Sequence, residues 1–246
     1  MKKMAIGKML KYRLMLKNPG LRKYLPKTHW LTRKSVFKML RSYSSVFIKP
    51  NHGSGGRGII RIRRKQNGYE VRYGRKRKIV SRHSLYKMIQ SCQKASRKYL
   101  VQRGLQLAKY KGSIFDIRVY MQKPHSKWGI SGMVARVAAP NHYVTNYHQG
   151  GRGKSLEKVL INTLQSNRSK VNATKKQIEK LSYQIAKTLG GRYSHLRELG
   201  IDFAIEKNGR IWILEANTRP GYRLFAQLPD KTMIRKIRKN KRLIRK

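Results

Sequence analysis

Residues 200–221, "GIDFAIEKNGRIWILEANTRPG", contain three of the nine acidic residues in a chain that carries sixty Lys and Arg. Asp202 and Glu215 are hard-oxygen donors of the kind that bind magnesium or calcium, and Asn217 adds an amide oxygen. Asn208-Gly209 predicts a two-residue type I′ turn, because both central positions of that turn need φ > 0. In that register Lys207 pairs with Arg210, Glu206 faces Ile211, Ile205 faces Trp212 and Asp202 faces Glu215. Side chains alternate across a strand, so Asp202 and Glu215 become cross-strand neighbours on one face. Like charges placed there repel, and the geometry calls for a cation between them. The opposite face, Ile201, Phe203 and Ile205 with Trp212 and Leu214, reads as core. Glu206 lies nearer the turn and outside the pair.

Three other stretches hold candidate chemistry. In "FIKPNHGSGGRGII", Lys49 ends a strand and four glycines follow within six residues. Glycine lets backbone N–H groups approach phosphate closely, and Lys49 supplies a point charge. No Gly-Lys-Ser/Thr closes the loop, so it is not a Walker A motif, and an ordinary hairpin loop has the same composition. "FDIRVYMQK" sets Phe115, Ile117, Val119 and Met121 on one face, with Asp116, Arg118 and Tyr120 on the other. Arg118 there suits either a same-face ion pair with Asp116 or a transferred phosphate. "NHYVTNYHQGGRGKS" spaces two histidines loosely among Asn146 and Gly150-Gly151, which fits a donor-rich lid better than a zinc site.

These side chains need strands to aim them. The pattern gives helices over 2–17 (Leu10, Leu14 and Met15 inward) and 33–42 after Thr32. It then gives strand, glycine loop and strand, followed by "GYEVRYG" and "KRKIVS" joined at Gly74. Ser84 caps a helix to about Gln93, in which Cys92 is an inert thiol on a buried face. After "YLVQRGL" come two long β runs, the loop 140–154, and helices over 155–164 and 174–189. Thr174 with Gln177 forms a capping box for the last of these, and Leu181, Ile185 and Leu189 its apolar stripe. Beyond the hairpin, 232–246 reads as a basic amphipathic helix, a tail whose removal is expected to weaken polyanion association and to spare binding by the lobes. The class is α+β in two lobes. Expected boundaries are a basic helical lead over 1–30, a first lobe over 31–100, a second over 101–228 and the tail over 229–246.

Charge narrows the partners. The chain of 246 residues has a net charge of +51 and a pI near 11.3. Such a field draws polyanions: acidic peptides or proteins, nucleic acid bound without sequence preference, or anionic surfaces. A single cysteine excludes an internal disulfide framework. Lys and Arg interrupt every apolar run below the ~18 residues of a membrane span and leave no secretory core, so a cytoplasmic setting is the default.

Taken in order, strand-Lys49, glycine loop 53–58, "LVQ" 100–102, "DIRV" 116–119, "TNYHQGGRG" 145–153, Asp202, "EAN" 215–217 and "RPG" 219–221 resemble the ATP-grasp superfamily. More narrowly, the set is similar to the endospore coat-associated YheC/YheD family, a relative of ligases that add glutamate to a ribosomal protein. The resemblance spans about residues 30–228. It implies an ATP-grasp fold of two α+β lobes with the nucleotide between them. Relatives usually carry a further domain ahead of the lobes, and the short lead before Lys49 departs from that pattern, so a reduced N-terminal domain is expected. By that resemblance Lys49 contacts the α- and β-phosphates, and Ser54, Gly55 and Gly56 close over them. Gln102 lies on the strand that meets adenine through backbone atoms. Arg118, Arg136 and Asn146 attend the transferred phosphate, and Asp202, Glu215 and Asn217 hold Mg2+. The implied activity is ATP-dependent carboxylate–amine ligation through an acyl phosphate, on an acidic peptide or protein. A non-catalytic, spore-associated nucleotide-binding protein is a second reading, and a nucleic-acid-binding protein, suggested by the charge alone, is a third.

Overall fold

A computed structural model describes residues 6–53, 55–140, 142–143, 145, 150–164 and 168–245. In chain order the elements are α1 (Lys8–Lys17), α2 (Pro19–Arg22), β1 (Thr28–Trp30), α3 (Arg33–Ser42), β2 (Ser45–Pro50), β3 (Ile60–Lys65), β4 (Gly68–Tyr73) and β5 (Lys76–Val80). There follow α4 (Arg82–Ser91), β6 (Tyr99–Arg103), β7 (Lys109–Tyr110), β8 (Ser113–Gln122), β9 (Gly129–Val137), β10 (Arg152–Lys154) and α5 (Leu156–Leu164). The chain ends with α6 (Arg168–Arg192), β11 (Glu198–Ile205), β12 (Ile211–Asn217), a 3-10 turn (Arg223–Gln227) and α7 (Thr232–Arg245). Two compact units result: Pro26–Leu105 with the chain up to Leu10, and Lys11–Leu25 with Gln106–Lys246.

The first unit is an antiparallel sheet in the order β1-β6-β2-β3-β4-β5. Val46, Ile48, Ile60, Ile62, Val71 and Val101 point to one face and meet Val36, Met39 and Leu40 of α3 and Leu85 and Ile89 of α4. α3 begins where expected, because Thr32 and Ser35 exchange side-chain and backbone hydrogen bonds as a capping box. α4 begins earlier than expected. Ser81, not Ser84, is the cap, and its hydroxyl accepts from the Ser84 N–H. Cys92 closes this helix, and burial pushes its thiol up, away from reactive thiolate.

The second unit is built on the sheet β10-β9-β8-β11-β12, with β7 beside β8. Phe115, Ile117, Val119 and Met121 are fully buried, and α6 packs across β8 and β11 with Leu181, Ile185 and Leu189 inward. α6 starts six residues before the expected cap. Thr174 therefore sits mid-helix and bonds back to the Lys170 carbonyl, while Gln177 donates to the Tyr24 hydroxyl. Residues 11–25 belong to this unit: Asn18 bonds Thr188, and the Ile213 N–H donates to the Tyr24 carbonyl. In α1, Met9 and Met15 are buried, and Leu10 is exposed rather than inward.

The β11–β12 hairpin differs from its expected path and reaches the expected pairing. Glu206 N–H donates to the Arg210 carbonyl and Gly209 N–H to the Glu206 carbonyl, so Lys207-Asn208-Gly209 is a three-residue loop. Only Gly209 has a positive φ (83°), as such loops need, and Asn208 accepts from the Arg210 N–H. Ile205 consequently pairs with Ile211 and Ala204 with Trp212, one step away from the two-residue register. A bulge then leaves Leu214 without a partner and restores Asp202 opposite Glu215. The core side of the hairpin is Phe203 and Ile205 with Ile211 and Ile213. Trp212 lies instead on the Ala204 side, its indole donating to Glu206 at 2.8 Å with Arg210 stacked at 4.2 Å.

α7, expected as a separable tail, packs on the second unit. Ile234 and Ile237 are buried with Tyr120, Val134, Phe225 and Leu228. Lys241 pairs with Glu198 at 2.7 Å, and Asn240 bonds Ser131. Its apolar stripe therefore forms core, packed on Tyr120 and Val134 of the sheet and on Phe225 and Leu228.

Candidate functional site

Register places the candidate site side chains of the second unit in three successive rows on one sheet face. Val134, Arg118, Asp202 and Glu215 are successive partners across β9, β8, β11 and β12. Gly132, Tyr120, Gly200 and Asn217 form the next row, while Arg136 pairs with Asp116 on β9 and β8. Side chains two apart along a strand share a face, so four separate stretches of sequence converge here.

Arg118 grips Asp202 in a fork, Nε to Oδ1 at 2.5 Å and Nη2 to Oδ2 at 3.0 Å, and its Nη1 donates to the Gly221 carbonyl at 3.3 Å. Arg136 forks onto Asp116 with both contacts at 2.6 Å and also reaches Asp202 at 2.9 Å. The same-face pair Asp116–Arg118 does not form; Asp116 takes its cross-strand neighbour Arg136 instead, with Thr145 donating to it. All four charged residues are buried. Burial alone would lower Arg136, but attraction to Asp116 and Asp202 outweighs it and raises its pKa. Burial alone would raise Asp202, and Arg118 and Arg136 together hold it below the usual carboxylate range. The four charges cancel in pairs, and Glu215 stands at the end of the row as a fifth ionisable group.

Local packing dictates this geometry. A Cβ on Gly200 would come within 2.5 Å of Pro220 and 3.1 Å of Arg118 Nη1, so only glycine lets the 219–221 segment close over the arginine. Tyr120, fully buried, donates to Glu198 and to the Pro220 carbonyl. Burial and the neighbouring Glu198 raise its phenol further out of the titrating range. Tyr120, Glu198 and Asp116 are site-supporting residues that sequence reasoning missed in these roles. Their partners are fixed by strand register, and no local motif marks it.

The donor set suits magnesium as part of a nucleotide complex rather than as an all-protein cage. Among the described residues no cluster of three or more His, Cys, Asp or Glu could hold a metal. Glu215 and Asp202 are adjacent, and Asp202 Oδ1 accepts from Arg118 Nε, while Oδ2 accepts from Arg118 Nη2, Arg136 Nη2 and Asn217 Nδ2. With its nitrogen turned to Asp202 at 3.4 Å, the Asn217 amide oxygen is the atom that could meet a cation. The residues fit a shell completed by phosphate oxygens.

In the first unit, Lys49 Nζ is held by Gln102 Oε1 at 2.6 Å, and Gln102 Nε2 donates to Thr28. Gln102 sits on an interior strand paired on both sides, so its side chain, rather than its sheet-bound backbone, steadies the lysine. Gly53, Gly55, Gly56 and Gly58 all have positive φ, between 71° and 127°, which accounts for four glycines in one loop. Ser54 and Asn146 lie outside the described residues.

The profile of the family described as YheC/D like ATP-grasp matches residues 1–243. The chain belongs to that family. As a YheC/D-like ATP-grasp protein it is 26% identical over 226 residues to the endospore coat-associated protein YheD of Bacillus subtilis (strain 168), covering 87% of this chain and 48% of that protein. It is 25% identical over 205 residues to YheC of the same organism, covering 80% and 55%. This family member thus spans about half the length of the curated relatives it matches. Among solved structures, the ATP-grasp ligase PsnB complexed with precursor peptide PsnA2 and AMPPNP aligns with a TM-score of 0.53 at 14% identity, covering 98% of this chain and 60% of that one. VanG D-Ala:D-Ser ligase from Enterococcus faecalis aligns with a TM-score of 0.57 at 15% identity, covering 97% and 61%. These likenesses establish the ATP-grasp fold. No helix among the described residues is long and apolar enough to cross a membrane.

Proposed function

We propose that the chain is an ATP- and magnesium-dependent carboxylate–amine ligase that acts on an acidic peptide or protein through an acyl phosphate. The row Arg118–Asp202–Glu215, flanked by Asn217 and Arg136, carries the proposal. It brings two guanidinium groups next to an oxygen-donor set on one sheet face, the combination that phosphoryl transfer to a carboxylate needs. A substrate carboxylate oxygen would bond to the γ-phosphorus while the β–γ bridging oxygen leaves with its electron pair on ADP. An amine would then add to the acyl carbon, phosphate would leave with the C–O electron pair, and the amine would lose one proton. Bound magnesium would supply charge neutralisation at the phosphate oxygens. Lys49 and the 53–58 loop would hold the nucleotide's phosphates, and Arg118 and Arg136 would offset charge on the transferred group. Asp202, Glu215 and Asn217 would hold the metal. The +51 charge favours a carboxylate-rich acceptor, and the coat-associated relatives favour a spore setting.

The test is calorimetric titration with ATP and magnesium, followed by ADP release in the presence of Glu-rich peptides. Glu215→Ala is expected to weaken ATP–magnesium binding by about tenfold or more. Wild-type protein that does not bind ATP with magnesium would end the proposal. A second reading, a nucleotide-binding structural protein, is favoured by the engagement of Asp202 with two arginines. ATP binding without ADP release against any peptide of the panel selects it.

A further inference from the structure

The face of the first sheet opposite α3 and α4 carries a row of arginines. Arg61, Arg72 and Arg77 are direct partners across β3, β4 and β5, and Arg63 stands opposite Glu70 beside them. Like charges on adjacent strands destabilise a sheet, and one carboxylate is set among four guanidinium groups. Glu70 is 3% exposed; Arg61 Nη2 and Arg77 Nε each lie 2.9 Å from a different one of its oxygens, and Arg72 Nε lies 3.4 Å away. Burial would raise its carboxyl, and the Arg61 hydrogen bond with the charges of Arg72 and Arg77 outweighs that and lowers it. The arrangement is already shaped around a carboxylate and keeps a surplus of cations.

The surplus reaches solvent at an open edge. β5 ends the sheet order, Arg77 is 54% exposed and its neighbour Ile79 is 61% exposed. Tyr73 and Lys76 flank the Gly74-Arg75 turn as the hydrogen-bonded pair, so the backbone groups of Arg77 and Ile79 point to the free edge. A cationic edge repels a second copy of itself and admits an acidic strand. We infer that the edge strand β5, with Arg63, Arg72 and Arg77, docks an extended, carboxylate-rich peptide segment by strand addition. This rests on the acidic-substrate part of the proposed function and gives that substrate a place on the chain.

The experiment measures fluorescence anisotropy of a labelled peptide of alternating Glu and Thr, without nucleotide, alongside calorimetric ATP–magnesium binding. Arg63→Gln/Arg77→Gln changes two exposed side chains and is expected to weaken peptide binding about tenfold, with ATP binding unchanged. Arg72→Gln serves as the second variant, and thermal melting checks folding of both. Arg238→Gln/Lys239→Gln on α7 removes the same charge elsewhere and should leave peptide affinity within about twofold. Unchanged peptide affinity in the first variant overturns the inference, as does an equal loss in the α7 control. Tighter binding of oligothymidylate than of the peptide, lost in the same variant, reassigns the edge to nucleic acid. A fall in ATP affinity reassigns it to the nucleotide. Peptide binding that survives when the wild type fails to bind ATP leaves this inference standing while the ligase proposal falls.

Discussion

Arg118 holds both carboxylate oxygens of Asp202, so the acid expected to meet a metal already faces a fixed cation. A unit positive charge about 4 Å from a second cation costs roughly 4 kcal/mol at the effective dielectric of a protein surface. On the proposed reading, metal binding at Asp202 and Glu215 would work against Arg118 until phosphate oxygens arrive to share it. Arg118→Met should strengthen Mn2+ binding in the absence of nucleotide by about tenfold or more, while lowering turnover. Electron paramagnetic resonance titration of Mn2+ reads the first effect and ADP release the second. Weaker Mn2+ binding in the variant would mean that the arginine builds the donor set instead of competing with the metal.

The opposition of Asp202 and Glu215 is legible from Asn208-Gly209 and strict alternation, yet the route to it is not. A three-residue loop shifts the register by one and the Leu214 bulge shifts it back. Trp212, between the two shifts, lands on the other face. Bulges leave no reliable local mark, so the outer pair is right while the inner pairs are wrong. The contacts Arg136–Asp116 and Lys49–Gln102 are further from sequence reach. The first depends on the β8–β9 register, irregular at Tyr120/Met121, and the second joins residues 53 apart in sequence. The glycine loop was legible because positive φ at four positions leaves little choice of residue.

Gly200 is the tightest steric condition on the site. A methyl group there meets Pro220 at 2.5 Å and Arg118 Nη1 at 3.1 Å, so either the 219–221 segment or the arginine must move. Gly200→Ala should destabilise the second unit by about 1–3 kcal/mol, as overpacked cores do, and reduce turnover beyond what the melting shift explains. Urea unfolding and ADP release measured together test this. A variant with wild-type turnover would show that the Arg118–Gly221 contact is not needed.

Acid should unfold the two units by different carboxylates. Asp202 and Glu70 both have folded pKa values below their unfolded ones of about 3.9 and 4.3. Their contributions are therefore fully present above those unfolded values and lost as pH falls through the folded values. Stability should fall below about pH 4 and hold from there to neutrality. Asp202→Asn should flatten the acid slope of the second unit, read by Trp212 fluorescence, and leave that of the first, read by Trp30. Glu70→Gln should do the reverse. An unchanged slope in both variants would locate the acid sensitivity elsewhere.

Removing α7 tests whether the basic C-terminal helix is surface or core. Ile234 and Ile237 are 4% and 0% exposed, and burying each such side chain contributes about 1.5–3 kcal/mol. Truncation after Leu228 would also strip Lys241 from Glu198, which Tyr120 and Gln122 share, and bare the ring of Phe225. The loss, roughly 3–6 kcal/mol from the two isoleucines alone, rivals the whole stability of a typical domain. The truncated chain should lose its cooperative melt and its ATP–magnesium binding together. Exchanging only the exposed cations Arg235, Arg238, Lys239 and Arg242 for Gln should leave both intact and lower affinity for polyanions in a salt-dependent way. If truncation spares the melt, the packing of α7 on Tyr120 contributes little, and the helix acts as a separable cationic arm.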